Sequence, residues 1–255
     1  MPDLPILEVA ASDTLDGAIH VRLTGETELD ASAATQIKRC LEIFVEAGKL
    51  GGYCVEHGQP DRSSLTFRRA TRPSRYSASV TLDAKAVTKR CFQLLRHMLA
   101  RPEQVSWNVQ RIDVQDGSAA TPERVPEIGD DSEEALYPPM IAHPSFELAS
   151  GIDEFSKWRR LEVEFADAIG AEQVLGLKPY LEPWSALLNN GAFSLPYALP
   201  FEVTSVAGQI TQFDSHTAEF EVPVYLASEE GWNVLVNLLQ RFSTREWNIV
   251  RITLD

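Results

Sequence analysis

The six residues Trp107-Asn108-Val109-Gln110-Arg111-Ile112 recur as Trp247-Asn248-Ile249-Val250-Arg251-Ile252, 140 residues later. Leu41-Glu42 with Phe44 and Gly51 matches Leu181-Glu182 with Trp184 and Gly191 at the same spacing. Val80-Thr81-Leu82, followed twelve residues on by Leu94-Leu95, matches Val224-Tyr225-Leu226 followed at the same distance by Leu238-Leu239. Three matched blocks in one order predict an internal duplication, so that each copy is one supersecondary unit.

Within the first copy, Ile19, Val21 and Leu23 alternate with His20, Arg22 and Thr24, the period of a half-buried strand. Asp30 then precedes Ile37, Cys40, Leu41, Phe44 and Gly48, spaced as one face of a helix that Gly51-Gly52 would stop. Residues 65–69 and 76–82 read as a hairpin across Pro73-Ser74. A second helix is expected from Asp83 as its cap, with Ala84, Val87, Cys91, Leu94, Leu95 and Met98 as its apolar stripe and Pro102 as its end. The strand carrying Trp107 follows.

This order resembles a ferredoxin-like β-α-β-β-α-β unit, with both helices on one face of an antiparallel sheet. The expectation is an α+β chain with repeats over 15–117 and 159–255. In the second copy Pro179 and Pro183 should break or shorten the first helix, and Pro223 should mark a bulge. Asn248, Val250, Ile252 and Leu254 share one strand face and Trp247 and Ile249 the other. Val250, Ile252 and Leu254 are therefore predicted to pack against the first copy's sheet or a second subunit.

Residues 118–158 hold Pro122, Pro126, Pro138, Pro139 and Pro144 with Asp130-Asp131-Ser132-Glu133-Glu134. That composition suits an extended acidic linker, partly docked through the apolar stretch 136–141. The formal charge of −14 is unevenly spread, since residues 1–117 carry fifteen basic and fifteen acidic residues and the remainder holds the whole excess. An acidic surface repels nucleic acid and membranes and attracts basic partners. No basic leader precedes an apolar run and no run approaches the roughly 20 apolar residues of a membrane span, which places the chain in the cytoplasm.

Phosphate-loop, serine-elbow and zinc-protease signatures are missing from the sequence, and no cofactor or metal is implied. Three cysteines make no disulfide framework, but Cys54 and His57 have the spacing of half a metal site or of a nucleophile and its base. Arg62, Arg68, Arg69, Arg72 and Arg75 crowd the hairpin, and guanidinium groups at this density suit carboxylates or phosphates. Phe193, Tyr197 and Phe201 lie in a connection stiffened by Pro196 and Pro200, as a core lid or as anchors for another protein. Trp107, Asn108 and Arg111 invite a ligand-site reading, against a plainer one in which a buried indole shares its strand face with the arginine stem. The expected function is a non-catalytic protein-binding module, in one form an immunity-type inhibitor masking a basic partner. The alternative is an enzyme or small-ligand binder with a pocket between the repeats, to which His20, Arg22 and His216 would contribute.

Overall fold

The computed structural model describes residues 4–55, 58–101, 104–117, 121, 123–124, 144–150, 158–193, 210–223 and 229–254. In chain order these form β1 (Ile6–Ala10), β2 (Thr14–Gly25), α1 (Ala31–Lys49), β3 (Ser64–Pro73), β4 (Ser77–Thr88), a 3-10 turn (Lys89–Cys91), α2 (Phe92–Leu99), β5 (Val109–Gln115) and β6 (Glu123–Arg124). They continue as β7 (Glu147–Ser150), β8 (Trp158–Phe165), α3 (Ala171–Asn189), β9 (Thr211–Gln212), β10 (Thr217–Pro223), α4 (Glu229–Arg245) and β11 (Ile249–Leu254). The fold is mixed α+β, with one sheet ordered β3-β4-β2-β5-β1-β6 and the other β7-β11-β8-β10-β9.

Neither sheet is wholly antiparallel, contrary to the expectation. β1 runs parallel to β5, and β7 parallel to β11. Both added strands lie outside the predicted repeats, β1 before residue 15 and β7 inside the expected linker. Each is short and is anchored by a few buried side chains, Leu7, Val9 and Ala10 in β1 and Phe146 just before β7.

α1 follows the expected logic, because the Asp30 carboxylate accepts from the Ala33 N–H at 2.7 Å, and Gly51 has the left-handed φ of 82° that ends the helix. The second predicted helix is corrected. Asp83, Ala84 and Val87 belong to β4, and helix begins only after Thr88, whose hydroxyl accepts from the Arg90 N–H. Leu15 and Gly17 of β2 face Val87 and Ala84, so β4 carries one extra residue there, with Ala86 at φ 49°. The bulge turns alternation into a spacing of three, so Ala84, Val87 and Cys91 imitate a helix stripe.

α3 is not broken by its prolines, running unbroken through Pro179 and Pro183. Val174, Leu177, Leu181, Trp184, Leu187 and Leu188 are buried along its other face. The carbonyls left without a donor, those of Leu175 and Pro179, belong to exposed residues and can take water instead. The bulge expected at Pro223 is also absent: β10 keeps register with β8 from Thr217 to Pro223, which pairs with Trp158.

Leu7, Ile19, Val21, Leu23, Val80, Leu82 and Ile112 point from the first sheet to the helices, as Leu161, Val163, Phe165, Ala218, Phe220 and Ile252 do from the second. The halves meet helix to helix, α1 against α3. The buried Asn237 amide donates to the Gly52 carbonyl at 3.2 Å, and the Arg241 guanidinium donates to the carbonyls of Pro60 and Ser63 at 3.2 and 3.1 Å. Gly52 itself packs against Val234 so closely that a Cβ would stand 3.1 Å from its Cγ1. The predicted sheet contact through β11 is thereby corrected: Ile252 is 1% exposed but faces the helices, Val250 is 38% exposed, and the side chain of Leu254 lies outside the described residues. The reason is a register shift between Ile249 and Arg251, which places Ile249 and Ile252 on the same side. None of the helices among the described residues is long and apolar enough to cross a membrane.

α2 carries His97 into this core, where burial, with Arg96 and Arg101 nearby, pushes its imidazole down to about 4. The unfolded chain takes up a proton near pH 6.5 and the folded chain only near pH 4, so stability falls as pH drops through that window. The linked loss is about 3 kcal/mol. Urea denaturation between pH 7.5 and 4 should show this loss, and His97→Gln should flatten it. An unchanged slope in the variant would contradict the assignment.

Candidate functional site

Among the described residues the helices cover only one face of each sheet, and the first sheet's other face gathers most of the charged residues singled out in the sequence. Two aligned rows cross it. Arg69 on β3 stands opposite Thr81 on β4, which stands opposite His20 on β2 and then Gln115 on β5. In the next row Arg72 faces Ser79, which faces Arg22 and then Asp113.

Two register shifts in β3, between Phe67 and Arg69 and between Arg69 and Arg72, create this arrangement. The first brings the consecutive residues Arg68 and Arg69 to one depression of about 290 Å³, shared with Ala18, His20 and Thr81. A second depression of about 450 Å³ adjoins it across His20 and Thr81 and reaches Arg22, Ser79, Arg111 and Asp113. Strict alternation would have sent one of the two adjacent arginines to the opposite side.

The charges are not all free. Arg68 meets Asp83 at 3.4 Å, and Arg111 bonds both Asp113, at 2.7 Å, and Glu8, at 2.5 Å. Arg75 sits apart on the turn, 3.5 Å from Glu28 and with its guanidinium carbon 5.2 Å from the Tyr76 ring centre. By contrast, among the described residues no carboxylate lies within 4.0 Å of Arg22, Arg69 or Arg72. His20 Nδ1 lies 3.2 Å from the Thr81 hydroxyl.

The repeated tryptophan motif does not make a ligand site of the expected kind. Trp107 is 3% exposed, donates its indole N–H to the Thr27 carbonyl at 2.9 Å, and packs so tightly on Gly25 that a Cβ there would overlap the ring. Arg111 lies on the opposite face. A register shift between Thr24 and Gly25 displaces Val109 from Arg111, which the plainer reading of a shared face did not allow for. The same displacement separates Ile249 from Arg251, and Arg251 reaches Glu147 at 2.8 Å.

The other candidates fall elsewhere. Phe193 has no exposed surface and stacks on Trp184 with ring centres 6.2 Å apart, whereas Tyr197 and Phe201 lie outside the described residues. His216 is on the second half's β9–β10 turn, its ring Nδ1 2.9 Å from Ser215 Oγ, and so does not join His20 and Arg22 in one sheet. Cys54 is buried beside β4, and burial pushes its thiol up to about 12, which removes it as a nucleophile at neutral pH. His57 lies outside the described residues. Among the described residues no group of three or more His, Cys, Asp and Glu side chains could hold a metal ion. Ser79, Thr81 and Asp113 were not foreseen as site residues. Strand alternation places them on the outer face, but only the cross-strand register shows which arginines they join.

No family model matches the chain, and no curated protein does. Solved structures with weak similarity include a conserved protein from Enterococcus faecalis V583, 9% identical with a TM-score of 0.16 over 93% of this chain and 77% of the other. Another is pitrilysin, 10% identical with a TM-score of 0.20, where the match covers 94% of this chain but 37% of the other.

All three cysteines are buried. The native protein at pH 8 should therefore leave Cys40, Cys54 and Cys91 unlabelled by a thiol reagent over minutes, with full labelling after unfolding. Prompt labelling of Cys54 in the native state would reverse the conclusion about its burial.

Proposed function

We propose that the chain is a tandem duplication of a ferredoxin-like unit, each copy extended by a parallel strand, and that it works as a non-catalytic protein-binding module. Cross-strand pairs recurring at one offset support the duplication. Thr24 pairs Arg111 as Glu164 pairs Arg251, Leu23 pairs Ile112 as Val163 pairs Ile252, and Arg22 pairs Ser79 as Glu162 pairs Glu219. By this register Leu82 corresponds to Val222 rather than to Leu226, which lies outside the described residues.

The binding reading rests on one contrast. Positions that keep the scaffold are preserved between the halves, whereas the outer faces have exchanged charge, Arg22 and Ser79 giving way to Glu162 and Glu219. On the second sheet Glu162 and Glu219 share Arg160, each at 3.8 Å, and Glu164 and Glu147 flank Arg251. Two adjacent carboxylates sharing one distant guanidinium form a face suited to a basic protein. The proposed role is that of a cytoplasmic inhibitor or immunity-type protein that masks such a partner.

The discriminating experiment is affinity capture from native lysate at low salt by the wild-type chain and by a Glu162→Lys/Glu219→Lys variant of equal melting temperature. A basic protein should be retained by the former, lost from the latter and released by salt. Equal recovery on both would remove the second sheet from the interaction.

A further inference from the structure

We infer that the outer face of the first sheet is a binding site for a phosphate monoester, with Arg22, Arg69, Arg72 and His20 as its donors and the Ser79 and Thr81 hydroxyls as its floor. The geometry comes from the two rows. β3 and β2 are separated by β4, and strands lie about 4.8 Å apart, so Arg69 and Arg72 are about 10 Å from His20 and Arg22 across the sheet. Along β2 and β4, residues two apart on one face are about 7 Å apart. Four basic side chains thus stand at the corners of a rectangle of about 10 by 7 Å, with Ser79 and Thr81 at its centre. An arginine side chain spans about half the longer edge, so the three guanidinium groups can converge on one tetrahedral group beside His20.

Charge favours the same ligand. Arg22, Arg69 and Arg72 have no carboxylate within 4.0 Å among the described residues, whereas the neighbouring Asp83 and Asp113 are engaged by Arg68 and Arg111. The acids at the margin are thus neutralised while the corners are left available. A phosphate monoester offers three terminal oxygens and close to two negative charges at neutral pH, matching several guanidinium forks above the Ser79 hydroxyl. A nucleic-acid backbone fits less well. Its diesters carry a single charge, and a single strand calls for rings on which bases can stack. Phe67 pairs with Leu82, whose side chain faces the helices, and Tyr76 lies under Arg75 on the turn, so neither ring enters the rectangle. The second sheet has no equivalent, because Glu162 and Glu219 occupy the positions of Arg22 and Ser79. The inference stands apart from the proposed basic partner, which would use that second sheet.

The test is titration of the full-length protein at pH 7 and low ionic strength with inorganic phosphate and, separately, with phenyl phosphate, followed by calorimetry and amide chemical shifts. Chloride at matched ionic strength is the control. Both phosphates should bind one site in preference to chloride and should shift the amides of β2, β3 and β4, with the ester at least as tight as the free ion. Arg22→Gln and Arg69→Gln should each weaken binding about tenfold with unchanged melting. Arg75→Gln, outside the rectangle, should change it less than twofold. Binding of inorganic phosphate with exclusion of the ester would overturn the assignment to a monoester. No preference over chloride, or equal losses from Arg75→Gln and Arg22→Gln, would overturn the site and leave only a diffuse positive field.

Discussion

Each sheet has one apolar face, and the helices of the two halves bury both by packing against one another, with α1 against α3. Everything else about the molecule follows from that contact. Burial removes roughly 25 cal/mol of unfavourable hydration per Å² of apolar surface, so a sheet face lined with Ile, Val and Leu cannot remain in water. Putting the helices in the middle leaves the remaining face of each sheet outward, free to carry charge without loss of core. The polar bonds crossing the layer, from Asn237 to Gly52 and from Arg241 to Pro60 and Ser63, fix how one half is set against the other.

Bulges are the second device. They occur at Leu15/Gly17, at Arg68, near Arg72 and at both copies of the tryptophan motif. In each case an extra residue changes which side chains share a face. At Arg111 and Arg251 the shift sends an arginine outward to a carboxylate on the neighbouring parallel strand, Glu8 on β1 and Glu147 on β7, while Trp107 and Trp247 remain on the helix side, against Gly25 and Gly176. On β3 it gathers consecutive arginines over one depression.

These devices also decide what was legible in the sequence. α1 was readable because Asp30, the apolar spacing and Gly51 all agree. The central strand was readable because Ile19, Val21 and Leu23 alternate without interruption. The start of α2 was not, since a bulged strand end at Ala84 and Val87 has the spacing of a helix. Pro179 and Pro183 were misleading for another reason: their cost is local, whereas the buried leucines and Trp184 of α3 act along the whole helix. β1 and β7 are only five and four residues long, and their parallel partners are about 100 residues away, so no local pattern shows their pairing. As for the site, the arginines of β3 were visible as a cluster, but their convergence with His20 and Arg22 depends on cross-strand register, which no local pattern encodes.

The central claim is that the two halves share one helical core. Differential scanning calorimetry of the intact chain tests it most directly. A common core predicts a single unfolding transition, with calorimetric and van't Hoff enthalpies in agreement. Two separable transitions, or a calorimetric enthalpy near twice the van't Hoff value, would show halves that unfold independently and would contradict the account.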